Sequence, residues 1–148
     1  MTQKTVKIKL LRDGAKMPYR ASAAAAASDL FACLDAAVTV APGERAQIPT
    51  GIAIELPSDD LVALVFSRSG QGAKHGVTLS NSVGVVDADY RGEITVGLIN
   101  LGNKPYEVHS GDRIAQLMIT SCFAFPFEEA AELGETARGA GGFGSTGV

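Results

Sequence analysis

The chain has 148 residues, 13 Lys and Arg against 16 Asp and Glu, a formal net charge of −3 and 46% hydrophobic residues. At this length one domain is the natural reading, large enough to bury an ordinary core without disulfide or zinc staples. Cys33 and Cys122 are far apart with no CxxC spacing, and neither His75 nor His109 is near them, which argues against a protein-ligated transition metal. The negative balance gives no global field to recruit nucleic acid or an anionic membrane, so any phosphate binding must be local.

At the N-terminus Val6, Ile8 and Leu10 alternate with Lys7 and Lys9, the period of a half-buried strand and unlike the continuous apolar stretch of a signal peptide. The longest uniformly small apolar run, five alanines at 23–27, is far short of the ~20 residues that cross a bilayer. The expectation is a soluble, cytoplasmic protein with no membrane partner. Further strands are expected at residues 38–40, 50–56, 61–66, 77–79, 83–86, 94–99 and 114–119, separated by Gly, Asn, Asp and Pro clusters. This spacing predicts an all-β fold, a sandwich, jelly roll or barrel. Helix is confined to one or two turns over residues 69–74, where Gly70 and Gly72 oppose it, and to a second candidate over 128–133. Residues 136–148 turn abruptly Gly-rich and are expected to form a mobile tail, dividing the chain into a β domain, 1–135, and a C-terminal arm, 136–148.

Gly139, Gly141 and Gly144 match a dinucleotide-binding spacing, but no strand leads into them and no helix can follow, which excludes a Rossmann unit. What the tail does offer is unencumbered backbone amides, the hydroxyls of Ser145 and Thr146, the cation of Arg138 and the ring of Phe143. Such a segment either wraps a polyphosphate and caps a base, or is a plain glycine tail. Arg68, Ser69 and Gly70 follow an apolar run, where a strand gives way to a loop or helix start. Small hydroxyls, glycine amides and a bidentate Arg suit an anion there, and a solvated turn is the alternative. No Gly-Lys-Ser or Gly-Lys-Thr occurs, so the Walker A order is absent.

Residues 81–94 read as two strands around an Asp- and Gly-rich connection, as in a hairpin. Backbone groups of Gly84, Val85 and Val86 could read the edge of a base while Tyr90 presents a flat face to a sugar. Asp87 is either a turn former or a carboxylate that holds water and accepts its proton. Gln116 is expected to share a strand face with Ile114, bonded in the core or lining a cleft. Asp29, after the alanine run, is either a turn residue or an acidic group near a cation.

Taken in order, these segments resemble the five motifs of the trimeric deoxyuridine triphosphate nucleotidohydrolases, the dUTPases. The resemblance runs from about Lys7 to Gly147 and is carried by Arg68-Ser69-Gly70, Gly84-Val85-Val86-Asp87-Ala88-Asp89-Tyr90-Arg91-Gly92, Gly111-Asp112-Arg113-Ile114-Ala115-Gln116-Leu117 and Gly142-Phe143-Gly144-Ser145-Thr146-Gly147. It implies a jelly-roll subunit, a homotrimer with active sites shared between chains, and hydrolysis of dUTP to dUMP and pyrophosphate, which lowers dUTP and supplies dUMP for thymidylate synthesis. Asp87 then resembles the carboxylate that activates water for attack at the α-phosphorus and touches the sugar 3′-hydroxyl. Tyr90 resembles the ring under deoxyribose that leaves no room for a 2′-hydroxyl. Asn81 and the backbone of Gly84, Val85 and Val86 resemble the uracil reader. Arg68, Ser69, Gly70 and Gln116 are expected around the phosphates. Arg138, Gly144, Ser145 and Thr146 are expected to close over them, with Phe143 stacked on uracil. Mg²⁺ is expected on the triphosphate, contacting Asp29 through a water.

Two departures stand out. Ala24-Ala25-Ala26-Ala27-Ser28 replaces a Gly-Ser-Ala-Gly-like run, where any position needing φ > 0 would strain an alanine. Gln71-Gly72 replaces a common Leu-Ala pair, which predicts a looser helix behind Arg68. The rival readings are a dCTP deaminase-like relative, opposed by Tyr90 and the Phe-bearing tail, and a non-catalytic dUTP-binding regulatory trimer, opposed by Asp87.

Overall fold

The computed structural model describes residues 5–142, so Phe143, Gly144, Ser145 and Thr146 lie outside the described residues. In chain order the strands are β1 (Lys7–Leu10), β2 (Ser28–Phe31), β3 (Val38–Val40), β4 (Arg45–Pro49), β5 (Ile52–Glu55) and β6 (Leu61–Phe66). The single helix among the described residues, α1 (Ser69–His75), is followed by β7 (Val77–Leu79), β8 (Gly84–Val86), β9 (Thr95–Asn100), β10 (Tyr106–Val108) and β11 (Arg113–Ser121). All pairings are antiparallel. A four-stranded sheet runs β2-β11-β6-β8, a three-stranded sheet runs β4-β9-β7, and β1 with β5 and β3 with β10 form two ribbons. The fold is all-β and jelly-roll-like.

The apolar residues that put these segments into strands also join the sheets. Leu30, Ile48, Ile52, Leu98 and Ile114 are fully buried, and they come from β2, β4, β5, β9 and β11. Each large side chain so buried contributes roughly 1.5–3 kcal/mol, so the core secures all the layers together. At the rim β1 and β5 also hold an exposed cross-strand pair, Lys7 donating to Glu55 at 2.6 Å. That hydrogen bond and charge lower the Glu55 carboxyl below its ordinary value. The pair therefore contributes at neutral pH and is lost as acid protonates Glu55, and its access to solvent keeps the contribution small.

One polar side chain is fully buried for a structural reason. The Asn100 amide donates to the Val40 and Lys104 carbonyls, both at 2.8 Å, and its oxygen accepts from the Gly102 N–H at 2.9 Å. It thereby replaces water for a turn that no strand could satisfy. The same turn receives the end of α1, where Gly76 sits at φ 71° and closes the helix by donating to the Gly72 carbonyl at 3.0 Å.

Four local expectations are revised. Residues 128–133 carry no helix and lie exposed; their charged side chains find nothing to pack against. Residues 81–94 are not a hairpin, because β8 pairs with β6 and β9 pairs with β4 and β7. The connection crosses between sheets instead. A bulge between Arg113 and Ala115 buries both Ile114 and Ala115. The simple alternation that would align Gln116 with Ile114 is broken there. Finally, Gln71 does not loosen α1: its buried amide donates to the Tyr106 hydroxyl at 3.0 Å and the Arg113 carbonyl at 2.9 Å, tying the helix to β10 and β11.

Asn100→Ala strands the Gly102 N–H and two carbonyls, and is expected to lower unfolding stability by about 3 kcal/mol in urea denaturation. A loss well under 1 kcal/mol would show that water replaces the amide.

Candidate active site

The apolar run of β6 forms one wall of a cleft of about 280 Å³, and the segment after β7 forms another; Val65, Asn81, Gly84, Val85, Val86, Asp87 and Tyr90 all line it. β8 is the outermost strand of its sheet, with Gly84 opposite Val65 and Val86 opposite Ala63. An edge strand has peptide groups on its outer side that take no partner within the sheet. Here the three residues of this edge line a cleft and pair with no further strand, an arrangement suited to recognising a flat hydrogen-bonding ligand through the main chain.

Beyond β8 the chain turns, the Tyr90 N–H donating to the Asp87 carbonyl at 3.1 Å. This places the exposed Asp87 carboxylate and the Tyr90 ring on the same cleft. The Tyr90 hydroxyl donates to the Glu93 carbonyl at 3.0 Å, folding the ring back over its own turn. Gly92 lets the ring lie close over the turn, since a Cβ there would displace the Tyr90 hydroxyl end. At the rim Ser82 adopts φ 65°, a left-handed geometry that costs a non-glycine residue roughly 1 kcal/mol.

A second cluster gathers where β2 meets the start of α1. Asp29 is held by a two-way backbone bridge to Tyr19, at 3.1 and 2.7 Å. Its carboxylate accepts from Arg68 Nε at 2.9 Å and from Arg113 Nη1 at 3.3 Å. Arg68 also reaches the Arg113 carbonyl at 3.4 Å, and the Gln116 amide donates to the Ser67 carbonyl at 2.8 Å. Ser69 and Gly70 are exposed beside them. This is a locally cationic surface, two guanidinium groups organised by one carboxylate, with hydroxyl and amide donors alongside. The alanine run before Asp29 is accommodated without strain, because among the described residues only Ser82 combines a side chain with positive φ. Arg20 caps this run by donating to the Ala25 carbonyl.

The two clusters do not meet. Arg68 extends from the end of β6 across β11 to β2, whereas Asp87 follows β8, and β2 and β8 are opposite edges of one sheet. Neither Arg68, Ser69, Gly70 nor Gln116 lines the Asp87 cleft. Arg138 is exposed, and among the described residues its side chain bonds locally, to the Gly141 carbonyl at 2.8 Å.

The sequence matches the dUTPase family over residues 13–147. The chain belongs to the dUTPase family. A dUTPase-family relative from Desulfitobacterium hafniense (strain DSM 10664 / DCB-2), named deoxyuridine 5′-triphosphate nucleotidohydrolase, is 53% identical over 133 residues, 90% of this chain and 88% of its own. One of the same name from Rickettsia felis is 48% identical over the full length of both. Among solved structures, the Staphylococcus bacteriophage 80alpha dUTPase with dUPNHPP superposes with a TM-score of 0.90 at 28% identity, covering 99% of this chain and 100% of that one. The D. hafniense and R. felis relatives set the family; the phage dUTPase shows that the fold extends over both clusters.

Sequence reasoning did not single out Glu93, Thr95 or Gly97, which also line the cleft. Glu93 directly follows Gly92 in sequence and lines the cleft, and Gly97 is closely approached by Ser80, whose hydroxyl oxygen would lie 2.5 Å from a Cβ there. Asp29, for which a turn residue and an acidic group near a cation were both open, accepts from two guanidinium groups, those of Arg68 and Arg113. A double-mutant cycle of Asp29→Asn and Arg68→Met should give a coupling of about 1–2 kcal/mol in unfolding stability. Additive effects would show that the bridge contributes nothing.

Proposed function

We propose that the chain hydrolyses dUTP to dUMP and pyrophosphate, and the observation that carries this is the coincidence of Asp87, Tyr90 and the β8 edge on one cleft in a member of the dUTPase family. Uracil has alternating donors and acceptors on one edge, and the outward peptide groups of Gly84, Val85 and Val86, with the Asn81 amide, suit it. Close approach of this backbone leaves little room for a 5-methyl group. Tyr90 packs under the sugar, where an added 2′-hydroxyl meets the ring. Asp87 holds a water, takes its proton as the oxygen attacks the α-phosphorus, and the bond to the bridging oxygen of the β-phosphate breaks to release pyrophosphate. Arg68, Ser69, Gly70 and Gln116 bind the phosphates. Arg138 with Phe143, Gly144, Ser145 and Thr146 closes the site, the arm comprising 136–148 and the β domain 1–135.

This division needs more than one copy of the chain, since the phosphate cluster and the base cleft lie at opposite sheet edges. A homotrimer in which neighbouring subunits bring the two together satisfies the geometry. Exposed apolar side chains supply contact surface for it: Phe123 and Phe125 stack at 5.7 Å, and Phe127 and Leu133 are open to solvent in the single chain. No nucleic-acid or membrane partner is part of this reading. Among the described residues no helix is long and apolar enough to cross a membrane, and a cytoplasmic enzyme acting on the nucleotide pool is the proposed setting.

A phage phi11 dUTPase variant, 25% identical with a TM-score of 0.78, is described with a structural Mg(II) ion. Among the described residues here no group of three or more His, Cys, Asp and Glu could hold a metal. The proposed Mg²⁺ would be carried by the triphosphate and keep several of its waters, with the Asp29 carboxylate as an outer contact. When bound, the ion aligns the phosphates and offsets charge on the leaving pyrophosphate.

Pyrophosphate release measured with dUTP, dCTP, dTTP and UTP is expected for dUTP alone, and Asp87→Asn is expected to lower kcat by about 10²–10⁴-fold. Ammonia release from dCTP would instead mark a deaminase, and tight dUTP binding without pyrophosphate a regulatory protein.

A further inference from the structure

The groups that fix Tyr90 reach well beyond the cleft. Its hydroxyl is tied to the Glu93 carbonyl, so the ring can hold its angle only as well as Glu93 holds its place. The Glu93 carboxylate is gripped from two distant segments. Arg12 Nη2 lies 2.7 Å from Oε1 and 2.5 Å from Oε2, and the Gly51 N–H donates to Oε1 at 2.7 Å. These segments are themselves joined, the Leu11 N–H donating to the Gly51 carbonyl at 2.8 Å. The next residue, Ile94, donates to the Ile52 carbonyl at 2.9 Å. Glu93 is therefore the point where residues 11–12, 50–52 and 90–94 converge, and its side chain is only 23% exposed.

We propose that Arg12, through Glu93, is a positioning residue for sugar selection: it holds the Tyr90 ring against the deoxyribose so that a 2′-hydroxyl is excluded. This rests on the dUTP reading above. The physical basis is that steric exclusion works only if the excluding group cannot yield. A ring anchored through one hydroxyl bond to a loose turn would move aside for an oxygen atom at little cost. A ring anchored to a charge-assisted three-way junction would not. Arg12 is not expected to touch the nucleotide, and Asp87, on the far side of the turn, keeps its own backbone bond to Tyr90. Loss of the brace should thus relax selectivity more than it slows turnover.

The test is the ratio of kcat/KM for dUTP to kcat/KM for UTP in the full-length protein. Arg12→Met keeps bulk and removes the charge; it is expected to lower the ratio about tenfold while kcat for dUTP changes by less than about threefold. Arg12→Lys should restore most of the ratio. Glu93→Gln, which keeps an acceptor for Gly51, should lower the ratio as Arg12→Met does. It stands in if that variant does not fold. Lys7→Met, which breaks the exposed pair on the same edge of the molecule, should leave the ratio unchanged. A ratio unaltered in Arg12→Met and Glu93→Gln, whatever their stability, overturns the proposal. Absence of dUTP turnover by the unmodified protein would instead overturn the functional reading on which it rests.

Discussion

The strand order β2-β11-β6-β8 is the constraint from which the site follows. It makes β8 an edge, freeing main-chain groups for a ligand, and it makes β2 the other edge, where Asp29 collects Arg68 and Arg113. The central strands, β6 and β11, connect the two physically: Arg68 follows the end of β6 and reaches over β11, while Val65 of β6 forms the wall behind Gly84. The two edges of this sheet carry the two clusters apart within one chain. The proposed homotrimer supplies a neighbouring copy that brings them together.

Polar side chains do the fine positioning that an apolar core cannot. Asn100 satisfies a buried turn, Gln71 ties α1 to β10 and β11, and Glu93 joins three segments behind the cleft. Each is a hydrogen-bonding group in a place where losing its partner would leave a desolvated donor or acceptor. Such groups specify one arrangement among the several that hydrophobic burial would tolerate.

The alternating and β-branched runs made β1, β3, β5, β6, β7, β8, β9 and β11 legible in the sequence, and motif order was the only signal for the candidate site residues. β2, β4 and β10 were not. Ser28-Asp29-Leu30-Phe31 follows an alanine run and begins with polar residues, Arg45-Ala46-Gln47-Ile48-Pro49 ends in a proline, and Tyr106-Glu107-Val108 has one β-branched residue directly after Lys104-Pro105. Their strand character comes from the partners they pair with. Pairing itself was also invisible: β8 and β9 are successive in sequence and belong to different sheets, because alternation reports a strand's faces and not its neighbours. Arg12 and Glu93 escaped notice for a related reason. A contact across 81 positions leaves no local signal.

The most direct test of the account is subunit mixing. Asp87→Asn damages the cleft half and Arg68→Met the phosphate half, and each variant alone is expected to be nearly inactive. If every site joins halves from different chains, co-refolding the two in equal amounts should restore about a quarter of the unmodified dUTP hydrolysis, the fraction of sites that receive both intact halves. Activity no higher than that of the separate variants, in assemblies proven to be mixed, would contradict the shared site.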